Sequence, residues 1–184
     1  MNMVYFTDGA VSHTCGYAGY ICGEIKGEKI DLEYGYYNIR IVQKIDSNFS
    51  EACAIYLALY DIFTNTNITA NTYSIYTDSI VVLNTIFNTI TDSTNLFQIQ
   101  CKNIQLLLFE IGKVSVVNFY KIKSHCPKTE IQKQHFLKYN NIRISSFHAF
   151  QLTKGNNIID SLVNGGVITA NNVFNTTPFT IEIN

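Results

Sequence analysis

Met3-Val4-Tyr5-Phe6-Thr7-Asp8-Gly9-Ala10 is the stretch on which the reading of this 184-residue chain turns. An apolar run ends in an acid, and a glycine follows at once. A buried central strand looks like this when it delivers a carboxylate to the end of a sheet. Val4, Phe6 and Asp8 share one face by the two-residue period, and Tyr5 and Thr7 share the other. Three later stretches also put an acid at the end of an apolar element or the start of a helix: Ser50-Glu51-Ala52, Tyr76-Thr77-Asp78-Ser79 and Ile159-Asp160-Ser161. The organisation of the chain suggests a fold that brings these four carboxylates together.

The bulk properties set the frame. The length suits one domain, and a hydrophobic content of 47% suffices for a core. No apolar run approaches a membrane span, and the first residues lack the basic start and apolar block of a signal peptide. An intracellular protein, cytoplasmic or nuclear, is expected, with no membrane partner and a monomeric state. Met1 lies two residues before the strand, as in a free-standing protein. Cys15, Cys22, Cys53, Cys101 and Cys126 are odd in number and form no C-x-x-C pair, so neither a disulfide framework nor a zinc site is indicated.

Net charge is −1, but it is unevenly spread. Residues 1–112 hold 5 of the 13 Lys and Arg and 11 of the 14 Asp and Glu. Between Lys113 and Lys154 there are eight basic residues and one acid, Glu130. An acidic cluster beside a basic segment suits a polyanion handled through bound cations. A solvated loop with lysines for solubility has the same composition.

Strand one is followed by strands over about Tyr17–Ile25 and Lys29–Val42, which form an antiparallel meander. Gly16, Gly19 and Gly23 are candidate bulge or close-approach sites. Asn48 reads as a helix cap with Glu51 three residues on, as in a capping box, and the apolar run after it predicts a helix buried on most sides. A polar run, Asn65–Asn71, ends it. A short strand, Tyr73–Thr77, leads into a helix from Ser79 to about Ile90. A further helix covers Leu96–Ile111, stopped by Gly112, and a strand runs over Val114–Ile122. Ser124–Thr153 reads as an irregular segment with a short helix at Gln132–Tyr139. The last helix opens at Gly155, and the chain from Gly165 onward reads as a loosely packed tail. Three antiparallel strands followed by alternating strands and helices predict a mixed α/β sheet with helices on its faces.

Each acid also has a local explanation. Asp8 before Gly9 could be a turn aspartate, Glu51 the partner of the Asn48 cap, Asp78 a helix N-cap, and Asp160 an acid in the first turn of its helix. As a set they point elsewhere. Clustered carboxylates in a half-buried site repel one another, and desolvation would protonate some of them. Divalent cations relieve this, and hard oxygen ligands suit Mg2+ or Mn2+. Two such ions serve phosphodiester cleavage.

Five segments carry a family resemblance. Thr7-Asp8-Gly9-Ala10, Ser50-Glu51-Ala52-Cys53-Ala54, Tyr76-Thr77-Asp78-Ser79, Lys121-Ile122-Lys123-Ser124-His125 and Gly155-Asn156-Asn157-Ile158-Ile159-Asp160 resemble, in order, the T-D-G-S/A, E-x-x-A, T-D-S, K-V-K-G-H and G-N-x-x-A-D motifs of type 1 ribonuclease H. The likeness spans about residues 3–165. It implies a ribonuclease H-like fold: a five-stranded mixed sheet, three strands antiparallel and then two parallel, flanked by helices. The implied domain is 1–165, with a tail over 166–184. The implied activity is metal-dependent endonucleolytic hydrolysis of the RNA strand of RNA/DNA hybrids by two Mg2+ ions, with Mn2+ as a substitute, leaving 5′-phosphate and 3′-hydroxyl ends.

The resemblance makes Asp8, Glu51, Asp78 and Asp160 the metal ligands and His125 a mobile catalytic histidine. His13, His135 and His148 match no motif. Gly9, Ser47, Asn48 and Ser79 occupy positions that contact the RNA strand in the family. The candidate cationic contacts are Lys123, Lys128 and Lys133. A nuclease of the same fold acting on branched DNA, and a non-catalytic nucleic-acid-binding domain, are the alternatives. The intact set of four acids argues against the latter. Two departures stand out. Asn88–Gln98 holds no Lys or Arg, where some members insert a basic handle. His125 and Asp160 lie thirty-five positions apart, where the family has a shorter loop. The basic 126–154 insertion, with Lys128, Lys133 and Lys138, is expected to replace the handle.

Overall fold

A computed structural model describes residues 2–41, 45–65, 72–90, 95–164 and 172–174. The strands are β1 (Asn2–Val11), β2 (Gly16–Lys26), β3 (Lys29–Ile41), β4 (Thr72–Thr77), β5 (Val116–Lys121) and β6 (Asn172–Phe174). The helices are α1 (Ser47–Thr64), α2 (Ile80–Ile86), α3 (Leu96–Ile111), α4 (Thr129–Asn140) and α5 (Ser146–Asn164). The strands form one sheet in the order β5-β4-β1-β2-β3-β6. β1, β2 and β3 are antiparallel neighbours, while β4 runs parallel to β1 and β5 parallel to β4. This is the expected mixed sheet. It gains a sixth strand, because 172–174 pairs in parallel with β3. The rest of the expected tail, and most of the polar run after Asn65, lie outside the described residues. No described helix is long and apolar enough to cross a membrane.

Alternation along β1 sorts the two layers. Met3 and Tyr5 pack with α1, α2 and α3 in one core, while Val4 and Phe6 pack with Phe136 of α4 and with Leu152, Ile159 and Val163 of α5 in a second. Because β1 is central and covered on both faces, it is buried almost throughout, as the apolar run predicts. α1 lies between the sheet and α3 and is buried from Ala52 to Leu59 without interruption. Its hydroxyl at Ser50 is fully buried and donates to Ala10 O (3.0 Å) and to Tyr17 O, which ties the start of the helix to both β1 and β2. All five cysteines are free and buried.

Residues 124–153 depart from the expected irregular segment. They are mostly helical, and α5 begins at Ser146, not at Gly155. Gly155 suggested a helix start, but its role is packing. A Cβ there would fall 2.5–2.7 Å from the Phe6 ring, so the missing side chain lets α5 lie flat on β1. The buried stripe Ala149, Leu152, Asn156, Ile159 and Val163 has helical spacing throughout. α4 is held differently. Gln132, fully buried, accepts from Lys123 N (2.9 Å) and donates to Lys123 O (3.5 Å). Asn140 likewise accepts from Lys121 N and donates to Lys121 O, both at 2.8 Å. Two side-chain amides thus satisfy the outward backbone groups at the end of edge strand β5, a region that would otherwise be open for pairing.

Gly155→Ala is expected to destabilise the protein by roughly 1–3 kcal/mol, the usual cost of an overpacked core contact. Chemical denaturation measures this, and an unchanged midpoint would contradict the close α5–β1 contact.

Candidate functional site

The structure removes the local explanation of each of the four acids. Asp8 is not in a turn, because β1 stays in register with β2 as far as Val11. Its Oδ1 accepts from Gly9 N at 2.9 Å. Glu51 belongs to no capping box. The α1 cap is Asp46, whose side chain accepts from Phe49 N at 2.8 Å, so Asn48 lies inside the helix and Glu51 is too far along to reach back. Asp78 is not an N-cap either: Ser79 caps α2, its Oγ accepting from Val82 N at 3.4 Å. Asp160 sits near the C-terminal end of α5, where the helix dipole disfavours a carboxylate.

What these positions share is one end of the sheet. β1 and β4 are parallel with Phe6 opposite Tyr76, and that register carried two residues on sets Asp8 beside Asp78. Carboxyl ends of neighbouring parallel strands are where α/β sheets hold ligands. Glu51 approaches from α1 because Gly9 has no side chain. A Cβ at Gly9 would fall 2.4 Å from both Ser50 C and Glu51 N. The glycine is therefore explained by the seat of the helix, and this contact within the protein sets its size.

Carboxylate oxygens of Asp8, Glu51 and Asp78 all lie within 4.8 Å of one another. Asp160 stands outside this trio, but its charge acts on Asp8. Burial, then the charges of Asp78 and Asp160, push the Asp8 carboxyl up to about 7, although its contacts with Glu51 and Gly9 N pull the other way. Glu51 is also held well above the usual carboxylate range, by burial first and then by Asp8 and Asp78. Its Oε2 is buried and finds no hydrogen-bond partner among the described residues. An orphaned carboxylate oxygen among all-oxygen donors fits a hard divalent cation, and this cluster could bind one.

His125 lies on the segment between β5 and α4, its side chain 75% exposed and its Nδ1 3.8 Å from Asp160 Oδ2. Its φ is +45°, a left-handed conformation that few residues other than glycine adopt. Such strain persists where the surroundings fix it, commonly at functional sites. Ser47 and Asn48 open α1, on the same helix end as Glu51, while the Ser79 hydroxyl is engaged as a cap. Lys123 lies two residues past the end of β5. Lys128 is exposed at the N-cap of α4, and Lys133 pairs with Glu130 at 3.1 Å. Lys121 was missed: its ammonium donates to Ile122 O at 2.6 Å and feels the charges of Asp78 and Glu51. The alternating Lys-Ile-Lys pattern could have flagged it, since both lysines then share a face.

No protein-family model matches the chain, and no curated protein matches it. Solved structures do. A ribonuclease H1 from the halophilic archaeon Halobacterium salinarum NRC-1 is 13% identical with a TM-score of 0.51, over 74% of this chain and 94% of that one. The N-terminal ribonuclease H domain of a Mycobacterium tuberculosis protein, solved as a fusion with maltose-binding protein, is 12% identical with a TM-score of 0.52, over 78% and 100%. LC11-RNase H1, solved in complex with an RNA/DNA hybrid, is 12% identical with a TM-score of 0.51, over 77% and 93%. At these identities the likeness establishes the ribonuclease H-like fold.

The raised Asp8 value gives a stability prediction for the protein in EDTA. Asp8 moves from an ordinary 3.8 to about 7, so the folded state holds the proton more tightly than the unfolded chain. That contribution is fully present below about 4 and lost as pH rises through about 7. Asp8→Asn should therefore be the more stable protein at pH 8, by on the order of 2–4 kcal/mol, with the difference shrinking toward pH 4. Thermal melts across this range test it, and a difference independent of pH would contradict the crowded site.

Proposed function

We propose that the protein is a divalent-metal-dependent endonuclease that hydrolyses the RNA strand of RNA/DNA hybrids. The observation that carries this reading is the convergence of Asp8, Glu51 and Asp78 from β1, α1 and the end of β4, with none of them explained by its own element. The fold, and the presence of an RNA/DNA hybrid in the LC11-RNase H1 structure, support the choice of substrate.

In this proposal Asp8, Glu51, Asp78 and Asp160 hold two Mg2+ ions, with Mn2+ as a substitute. The chemistry such ions supply is activation of a water and neutralisation of charge on the leaving oxygen. The protein does the rest. Asp8 and Asp78, fixed by adjacent strands, define where the scissile phosphate sits. Glu51 is placed by the close approach of Gly9 to Ser50. Water adds across the phosphorus–O3′ bond, leaving a 5′-phosphate and a 3′-hydroxyl. His125, exposed beside Asp160, moves the proton that the leaving oxygen takes up. Main chain at Gly9, with Ser47, Asn48 and Ser79, faces the RNA 2′-hydroxyls, the group that separates RNA from DNA. Lys123, Lys128 and Lys133 contribute positive charge along the substrate path.

The test is incubation with labelled RNA/DNA hybrid, duplex DNA and a four-way junction, with and without Mg2+, beside Asp78→Asn. The hybrid alone should be cut, only with Mg2+, and Asp78→Asn should be inactive. Cleavage of none, junction cleavage instead, or equal cleavage by the variant would sink the proposal. His125→Ala should lower kcat by roughly 100-fold or more, the usual scale of a lost proton-transfer group. Its thermal stability should hold, because the side chain is 75% exposed.

A further inference from the structure

The edge-strand contacts of α4 have a second effect: they gather three lysines. Gln132 and Asn140 fix the backbone at Lys123 and Lys121, two residues apart on one strand run, so both side chains leave on the same face. α4 brings Lys138 to the same place. The Lys121 ammonium lies 5.9 Å from the centre of the Tyr139 ring, and that of Lys138 lies 5.1 Å from it. The Tyr139 ring packs against His135 with centroids 4.4 Å apart. None of the three lysines forms an ion pair with a described residue, unlike Lys113 and Lys133, which are paired with Glu110 and Glu130. The charges of all three lysines act on one imidazole, that of His135, so an anion placed beside this ring pair would be attracted by each of them.

His135 reports the crowding. Burial first, and then Lys121, Lys123 and Lys138, press its value down to about 4, so at neutral pH it adds no charge of its own. Its Nδ1 is buried with no partner among the described residues. Position then limits the anion. Lys121 pairs with Thr77 in the parallel β4–β5 register, and Asp78 is the next residue. The charges of Asp78 and Glu51 act on the Lys121 ammonium. A cationic cluster one strand from a carboxylate cluster suits a ligand with repeated negative charges. One phosphate can lie at a cation-bridged acidic site while its neighbour meets the lysines.

We propose that Lys121, Lys123 and Lys138, grouped around the His135–Tyr139 ring pair, form a phosphate-backbone ledge that binds the nucleic-acid strand next to the scissile position. This rests on the nuclease reading of the carboxylate site and adds, to the positive charge that Lys128 and Lys133 supply, a specific grip at the β5–α4 junction. Asn140 and Gln132 are its positioning residues.

The test measures hybrid affinity by fluorescence anisotropy over a range of salt, using a labelled RNA/DNA hybrid. Asp78→Asn serves as the background, so that the probe stays intact. Adding Lys121→Ala and Lys138→Ala should each weaken binding roughly 5–10-fold near 0.1 M salt and lower the slope of log affinity against log salt by about 0.9. Lys121→Arg and Lys138→Arg should keep the slope. Lys113→Ala, at the opposite end of β5, should leave affinity and slope unchanged. Circular dichroism melts show whether each variant is folded. If the hybrid binds but the slope is the same with and without Lys121 and Lys138, the ledge is wrong and the nuclease reading stands. If wild type and the Asp78→Asn background bind no hybrid, both are wrong.

Discussion

Three carboxylates repel one another in a small, partly buried volume at one end of the sheet. Asp8, Glu51 and Asp78 place oxygens within 4.8 Å of one another. That arrangement is costly for a folded protein, and it is paid for by rigid support on every side. Asp8 extends from a strand buried on both faces. Glu51 comes from a helix buried almost all round and pinned by the Ser50 hydroxyl to β1 and β2. Gly9 removes the one side chain that would hold the helix off the strand. Protonation at Asp8 and Glu51 is the protein's own relief of the repulsion, and cation binding is the relief that would make the site useful.

The same logic explains why the helices sit where they do. α5 lies close to β1 because Gly155 admits the Phe6 ring, and this brings Asp160 to the carboxylate end of the sheet despite an unfavourable place on its own helix. α4 covers the β5 edge with two amide side chains. It thereby turns a strand edge, a common site of unwanted pairing, into a surface rich in positive charge. Acidic and basic clusters thus stand side by side. One polyanion with bound cations would satisfy both.

Much of this was legible in the sequence. The apolar run into Asp8 and its alternation gave β1 and both of its faces correctly, and the three-strand meander followed from short turns. Asp8, Glu51 and Asp78 were legible as a set because each ends or opens an apolar element. Their local alternatives were not separable, since caps depend on one residue of register. Asp46 and Ser79 took the capping roles that Asn48 and Asp78 seemed to fill. The segment 124–153 was misread for a physical reason. α4 is polar on much of its surface and is docked by Gln132 and Asn140, not by an apolar stripe, so periodicity had little to find. Gly155 was read as a boundary because a glycine inside a helix is unfavourable unless packing demands its small size.

In the proposed cation site, protons on the crowded carboxylates balance part of the charge until a cation arrives. Isothermal titration of Mn2+ into the protein near pH 7, repeated in buffers of different ionisation enthalpy, tests it most directly. Saturable binding that releases protons is expected, because burial and mutual repulsion raise both Asp8 and Glu51. Glu51→Gln should weaken binding and release fewer protons. Absence of saturable binding, or binding with no proton release and no response to Glu51→Gln, would contradict it.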